Sequence, residues 1–131
     1  LEQMALAEFC KKNFNSHVKT LKIQLQKKSE AICNALDKYF GSSAEYKKPD
    51  GGIFVWVDMH KKVDTSRLYE LALKDGVAIN PGNEWSINKS GRHKMRLCFG
   101  NPSIKEIDEG IKRLAIICRK EFGIPTKIAN L

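Results

Sequence analysis

The sequence predicts an α+β fold in which a small, mostly antiparallel sheet packs on helices as a two-layer sandwich. Three observations predict it. Residues 53–58 form a β-branched and aromatic run bounded by turn residues, and over 94–99 Met95, Leu97 and Phe99 alternate with Arg96 and Cys98, the period of a strand with one buried face. They recur at three, four and seven over 17–40 and 103–122, the period of a helix. The elements follow in the order helix, helix, strand, strand, helix, strand, strand, helix, which closes most simply as one sheet with helices on one side. At 131 residues and 42 % hydrophobic content, the chain is long enough for one domain with its own core.

Leu1 to about Lys12 reads as a short helix carrying Met4, Leu6, Ala7, Phe9 and Cys10. Asn13-Phe14-Asn15-Ser16 is expected to break it, because Asn and Ser side chains compete for backbone hydrogen bonds and favour caps. A long helix should then run from His17 to Phe40, with Val18, Leu21, Leu25, Ile32, Leu36 and Tyr39 inward and Gly41 as its stop. Tyr46 to Lys48 reads as a short strand, Asp50-Gly51-Gly52 as a turn and Ile53 to Asp58 as a strong strand. Asp64 should cap a helix over Thr65 to Lys74, closed by Gly76, and Val77 to Ile79 should be a brief strand. Asn80 to His93 reads as a long polar loop, of the length that often carries function. Lys94 to Phe99 is the next strand. Ser103-Ile104-Lys105-Glu106 fits a capping box, and Ile104, Ile107, Ile111, Leu114 and Cys118 form the stripe of the last helix, which ends near Phe122 before an irregular tail.

The four cysteines, Cys10, Cys33, Cys98 and Cys118, form no C-x-x-C pair and have no histidine at zinc-ligand spacing. They read as small buried thiols, which points to a reducing, cytoplasmic setting and to no metal site. The net charge of +8 comes from scattered lysine pairs such as Lys11-Lys12 and Lys61-Lys62, without interleaved aromatics, so solvated faces explain it better than nucleic acid does. No apolar run approaches the roughly 18 residues that span a bilayer, and no secretory signal is visible. A first residue of Leu rather than Met suggests a piece of something longer.

The residue that stands out is Arg96. In Met95-Arg96-Leu97-Cys98-Phe99, alternation puts Met95, Leu97 and Phe99 on the core face and Arg96 with Cys98 on the other. Arg96 there faces either water or a ligand.

The ordered set Gly51-Gly52-Ile53-Phe54-Val55-Trp56-Val57, Gly76-Val77, Pro81-Gly82 and Arg96-Leu97-Cys98-Phe99, followed by Ile107-x-x-Gly110-Ile111-x-x-Leu114, resembles the C-terminal small domain of class I pyridoxal-phosphate aminotransferases. It is most similar to the 2-aminoadipate and kynurenine aminotransferase group, and covers about residues 10 to 122. The resemblance implies a division into 1–15 (helix and linker from a large domain), 16–122 (small domain) and 123–131 (tail). It implies that Arg96 binds the α-carboxylate of an amino-acid or 2-oxo-acid substrate. A guanidinium suits that role because its planar fork pairs bidentately with a carboxylate, which a lysine cannot do. Trp85 stands where an aromatic usually follows Pro-Gly in a loop that approaches the cleft. It packs either over substrate or cofactor, or on the domain's own surface. Asn83 and Glu84 are neighbours in that loop. His17 matches a histidine common in the family and reads as structural; His60 and His93 read as surface loop residues. Lys22 and Leu25 depart from the arginine and tyrosine often found on the long helix.

The resemblance also says what to expect elsewhere. The lysine that binds pyridoxal phosphate, the phosphate cup and the acid partner of the pyridine nitrogen belong to the large domain, and no lysine here matches that segment. The isolated chain is therefore expected to hold no cofactor and no catalytic residue, while the parent would bind pyridoxal phosphate and be a homodimer. Two alternatives stand beside the enzyme fragment: the effector-binding end of an aminotransferase-like transcription regulator, and a standalone non-catalytic remnant. An apolar surface near the Arg96 loop is expected where domain contacts are lost.

Overall fold

The computed structural model describes residues 1–88 and 90–128. Its elements among these residues are α1 (Glu2–Tyr39), β1 (Ala44–Tyr46), β2 (Phe54–Met59), α2 (Thr65–Lys74), β3 (Asn80–Pro81), β4 (Lys94–Cys98) and α3 (Ile104–Phe122), with short 3₁₀ turns at Gly41–Ser43 and Gly82–Trp85. The strands form one antiparallel sheet in the order β1-β2-β4-β3.

One face of the sheet is the core. Val55, Val57, Met59, Met95, Leu97 and Phe99 are buried on it. Against them lie Ile32, Ala35, Leu36 and Tyr39 of α1, Leu68 and Ala72 of α2, and Ile107, Ile111, Leu114 and Cys118 of α3. Each large apolar side chain buried this way contributes about 1.5–3 kcal/mol. The helix ends use the devices read from the sequence. Asp64 accepts from the N–H groups of Ser66 and Arg67 at 3.0 and 3.3 Å. Ser103 and Glu106 exchange both hydrogen bonds of a capping box. Gly123, at φ +61°, closes α3 in the left-handed region.

The structure corrects several expectations. The break at Asn13–Ser16 does not occur, and α1 is one helix of 38 residues. Asn15 and Ser16, the expected caps of a second helix, lie inside α1, and polar side chains here bond back along the helix: Asn13 Nδ2 donates to the Phe9 carbonyl at 3.2 Å, Ser16 Oγ to the Asn13 carbonyl at 3.0 Å and Thr20 Oγ1 to the Ser16 carbonyl at 3.1 Å. With no Gly or Pro between residues 2 and 39, nothing stops propagation. The first half of α1 also leaves the core. No residue before Ser29 is buried, and Leu21, expected inward, is exposed, with Val18 and Leu25 half-buried. Ile104 is exposed as well.

The brief strand expected at Val77–Ile79 forms instead at Asn80–Pro81, inside the expected loop. The N–H of Val77 is engaged by the end of α2, donating to the Ala72 carbonyl at 2.8 Å, and Pro81 is tolerated because β3 is an edge strand. β1 lies two residues before its expected position. Two cysteines are not buried: Cys98 is exposed on the open sheet face and Cys10 is half-buried. Cys33 and Cys118 are core residues, and burial pushes the Cys118 thiol up to about 12. The tail is irregular but docked. Ile124 is buried, Ser43 Oγ donates to the Pro125 carbonyl at 2.6 Å, and the Lys127 N–H donates to the Tyr39 carbonyl at 2.8 Å. Its last part, residues 129–131, lies outside the described residues. Among the described residues no helix is long and apolar enough to cross a membrane.

Candidate functional site

The second face of the sheet has no layer over it. The register Trp56↔Arg96 and Phe54↔Cys98 sets Phe54, Trp56, Arg96 and Cys98 together there, with Lys94 and Asp58 further along. Arg96 is half-buried on this otherwise open face. Its guanidinium carbon lies 4.1 Å from the centre of the Phe54 ring and 3.9 Å from that of Trp85. Both distances are within cation–π range. Trp85 meets the edge of Trp56 at 6.4 Å and 85°. Nη2 of Arg96 donates to Oδ1 of Asn80 at 3.4 Å, a long and weak bond. Its Nε is buried without a hydrogen-bond partner among the described residues, and so is Oδ1 of Asn83.

Trp85 reaches Arg96 because the two stems of its loop are pinned. Gly82 and Gly91 are packed backbone to backbone: a Cβ on Gly82 would stand 2.5 Å from the Gly91 carbonyl oxygen, and one on Gly91 would meet Gly82 as closely. The stem after Gly91 is tied to the body. The Arg92 carbonyl accepts from the backbone N–H and the hydroxyl of Thr65 at 2.8 and 2.9 Å, and the His93 carbonyl accepts from the Met59 N–H at 2.8 Å. Within this chain Trp85 packs against Arg96 and remains 54 % exposed.

The other candidates are more dispersed. Asn83 is half-buried in the same 3₁₀ turn, and Glu84 is exposed. His17 lies on α1 with its ring against Phe9 at 5.6 Å. His60 is exposed, whereas His93 is half-buried, with Nε2 3.2 Å from Asp58 Oδ1; the other oxygen of Asp58 binds Lys94 Nζ at 2.7 Å. Phe54, Trp56 and Asn80 escaped the sequence reading as site residues. Alternation along β2 does place Phe54 and Trp56 outward, but only the register with β4 puts them beside Arg96.

A groove of about 1000 Å³ lies between Gly76–Ala78, the end of β4 and the first turns of α3; Leu97, Cys98 and Glu106 line it and Arg96 does not. Arg96 therefore stands on a face with a floor and one aromatic wall, not in a closed pocket. A covalent pyridoxal-phosphate site does not fit the described residues. Their lysines are exposed except Lys28, whose half-buried ammonium is engaged by the carbonyls of Gly100 and Asn101 at 2.9 and 3.3 Å. The N-terminus of α3, a natural place for phosphate, is filled by its own Ser103 and Glu106. Among the described residues no three metal-ligating side chains gather.

A family model for "Aminotransferase class I and II" matches residues 1–114. The chain is 38 % identical over 98 residues to an uncharacterized aminotransferase of Saccharolobus solfataricus, which aligns 75 % of this chain with 24 % of that protein. It is 30 % identical over 121 residues to YisV, an uncharacterized HTH-type transcriptional regulator of Bacillus subtilis, across 92 % of this chain and 25 % of the regulator. Among solved structures, LysN, an α-aminoadipate aminotransferase of Thermus thermophilus complexed with N-(5′-phosphopyridoxyl)-L-leucine, superposes with a TM-score of 0.84 at 29 % identity, over 90 % of this chain and 30 % of that one. The chain spans about a quarter of the length of the curated relatives it matches.

Proposed function

This chain belongs to the class I and II aminotransferase family, and from that premise we propose that it is the C-terminal small domain of a pyridoxal-phosphate-dependent aminotransferase in which Arg96 holds the substrate α-carboxylate. The observation that carries the reading is Arg96 itself: an arginine on the uncovered face of a sheet, within cation–π distance of two aromatic rings, whose buried Nε has no hydrogen-bond partner among the described residues. A carboxylate laid against its Nη atoms accepts two parallel hydrogen bonds. Held there, the carboxylate is a fixed point, and together with a second anchor at the amino group it orients the Cα bond to be broken. Bound to the remainder of the protein, pyridoxal phosphate supplies the electron sink that lets the Cα proton leave. The division into 1–15, 16–122 and 123–131 belongs to this proposal. So do the missing large domain, a homodimeric parent, an amino-acid or 2-oxo-acid substrate and a cytoplasmic location. The exposed rings around Arg96 support it, because an apolar rim on an open site suits a second domain closing over it.

A second reading is favoured by the similarity to HTH-type regulators, which extends over nearly the whole chain. There the same arginine would hold an effector carboxylate without turnover.

The test is to read the coding DNA on the 5′ side of the Leu1 codon and assay the encoded protein. A continuous frame with a cofactor lysine, and amino transfer from an α-amino acid to a 2-oxo acid, is the expected result. A frame that opens with a helix-turn-helix and yields no amino transfer would select the regulator. A stop codon immediately upstream would contradict both.

A further inference from the structure

We infer that Phe54 and Trp85 are positioning residues, a clamp that fixes the guanidinium plane of Arg96 and leaves only the Nη1–Nη2 end of its fork open to a carboxylate. The purpose of the clamp rests on the reading that Arg96 binds a carboxylate; its existence does not. Two rings lie against the guanidinium, their centres 4.1 and 3.9 Å from its carbon. The inner edge is closed because Nε is buried. One Nη2 hydrogen is directed at Asn80. What remains for a ligand is Nη1 and the second hydrogen of Nη2.

The rings are poorly explained as core. Phe54 is 38 % exposed and Trp85 54 %, on the face that no helix covers. Trp85 is also braced more firmly than a surface ring requires. Trp56 meets it edge-on, and its loop closes on the Gly82–Gly91 backbone contact. Across the loop, Ser86 Oγ accepts from the Ser90 N–H at 3.1 Å. The physical gain is pre-organisation. An arginine on an open face samples many rotamers and loses that freedom when it grips a ligand. A guanidinium already held between two rings has lost it before the ligand arrives.

The experiment uses this chain, its Trp85→Leu, Phe54→Leu and Trp85→Phe variants, ¹H–¹⁵N spectra of the arginine Nε–H groups, and acetate as the probe carboxylate at constant ionic strength. In the wild type, the Arg96 Nε–H should be shifted upfield by the two rings and exchange slowly with water. Each leucine variant should lose part of that shift, exchange faster and bind acetate about two- to fivefold more weakly, the range expected of an exposed cation–π contact. Trp85→Phe should restore both. Because both rings are partly exposed, thermal unfolding should barely move, which separates positioning from packing. Leucine variants with an unchanged Arg96 signal and unchanged acetate affinity would overturn the clamp. Clamped spectra that acetate does not perturb would overturn the carboxylate reading and leave the clamp standing.

Discussion

Arg96 is one arginine among scattered basic residues, and what distinguishes it is what surrounds it. Most charged side chains of this domain end in water or in exposed ion pairs, such as Arg67 with Glu121 at 3.0 Å, which contribute little to stability. Glu106 shows how a single surface carboxylate is used structurally. The backbone N–H of Ser103 donates to it at 2.7 Å and holds its carboxyl below the usual carboxylate range. A carboxyl whose folded-state pKa is depressed stabilises the fold above its unfolded pKa and ceases to do so as pH falls through the folded value. Glu106→Gln should therefore lower the thermal midpoint at pH 7, and the gap from wild type should close as pH drops below about 4, the ordinary glutamate range. A gap that stays constant down to strong acid would show that charge plays no part in this cap. Residue-scale chemistry was also the most legible part of the sequence. Asp64, Ser103 and Glu106 cap where their spacing says, because capping is decided within four residues.

At the scale of elements, legibility depended on how local the deciding contact was. α2 and α3 have the limits their caps predict, whereas α1 ran through a segment that looked like a break. Asn13 and Ser16 can either cap a new helix or bond back to the preceding turn, and composition does not choose between these. The inward stripe of α1 failed before Ser29 for a different reason: within this chain those apolar residues have nothing to pack on. The clamp was hidden for a third reason. Phe54 and Trp85 are more than thirty residues apart, and they meet only through strand register and a loop neck of two glycines. The two halves of α1 should differ in dynamics. Amides from about residue 29 to 39, packed on the core, should resist hydrogen exchange, and those before residue 24 should exchange quickly, since a helix unsupported by packing is marginal in water. Equal protection along α1 would mean that its first half is packed against something in solution.

The whole molecule presents one sealed face and two unfinished ones. The sheet and three helices close a core on one side. The other side of the sheet, with Phe54, Trp56 and Trp85, remains uncovered, and Ile87 of the loop and Met4, Leu6, Phe9 and Phe14 of α1 are exposed as well. Apolar surface of this extent on a single chain favours association. Sedimentation velocity of the isolated chain should show concentration-dependent self-association. Its partial suppression by Ile87→Ser together with Phe14→Ser would place the contact, and a strictly monomeric chain at high concentration would count against a domain that lacks its partner. On the proposed reading the site carries a candidate carboxylate anchor and, among the described residues, no fitting cofactor lysine: the arrangement suits half of a cleft. The most direct test of that account is Arg96→Lys in the full-length parent, read by steady-state kinetics and cofactor absorbance together. Losing the bidentate fork should raise KM for the amino donor by about tenfold or more, the weight of a charge-assisted hydrogen bond, while pyridoxal phosphate stays bound. An unchanged KM, or loss of the cofactor with substrate affinity intact, would contradict the role assigned to Arg96.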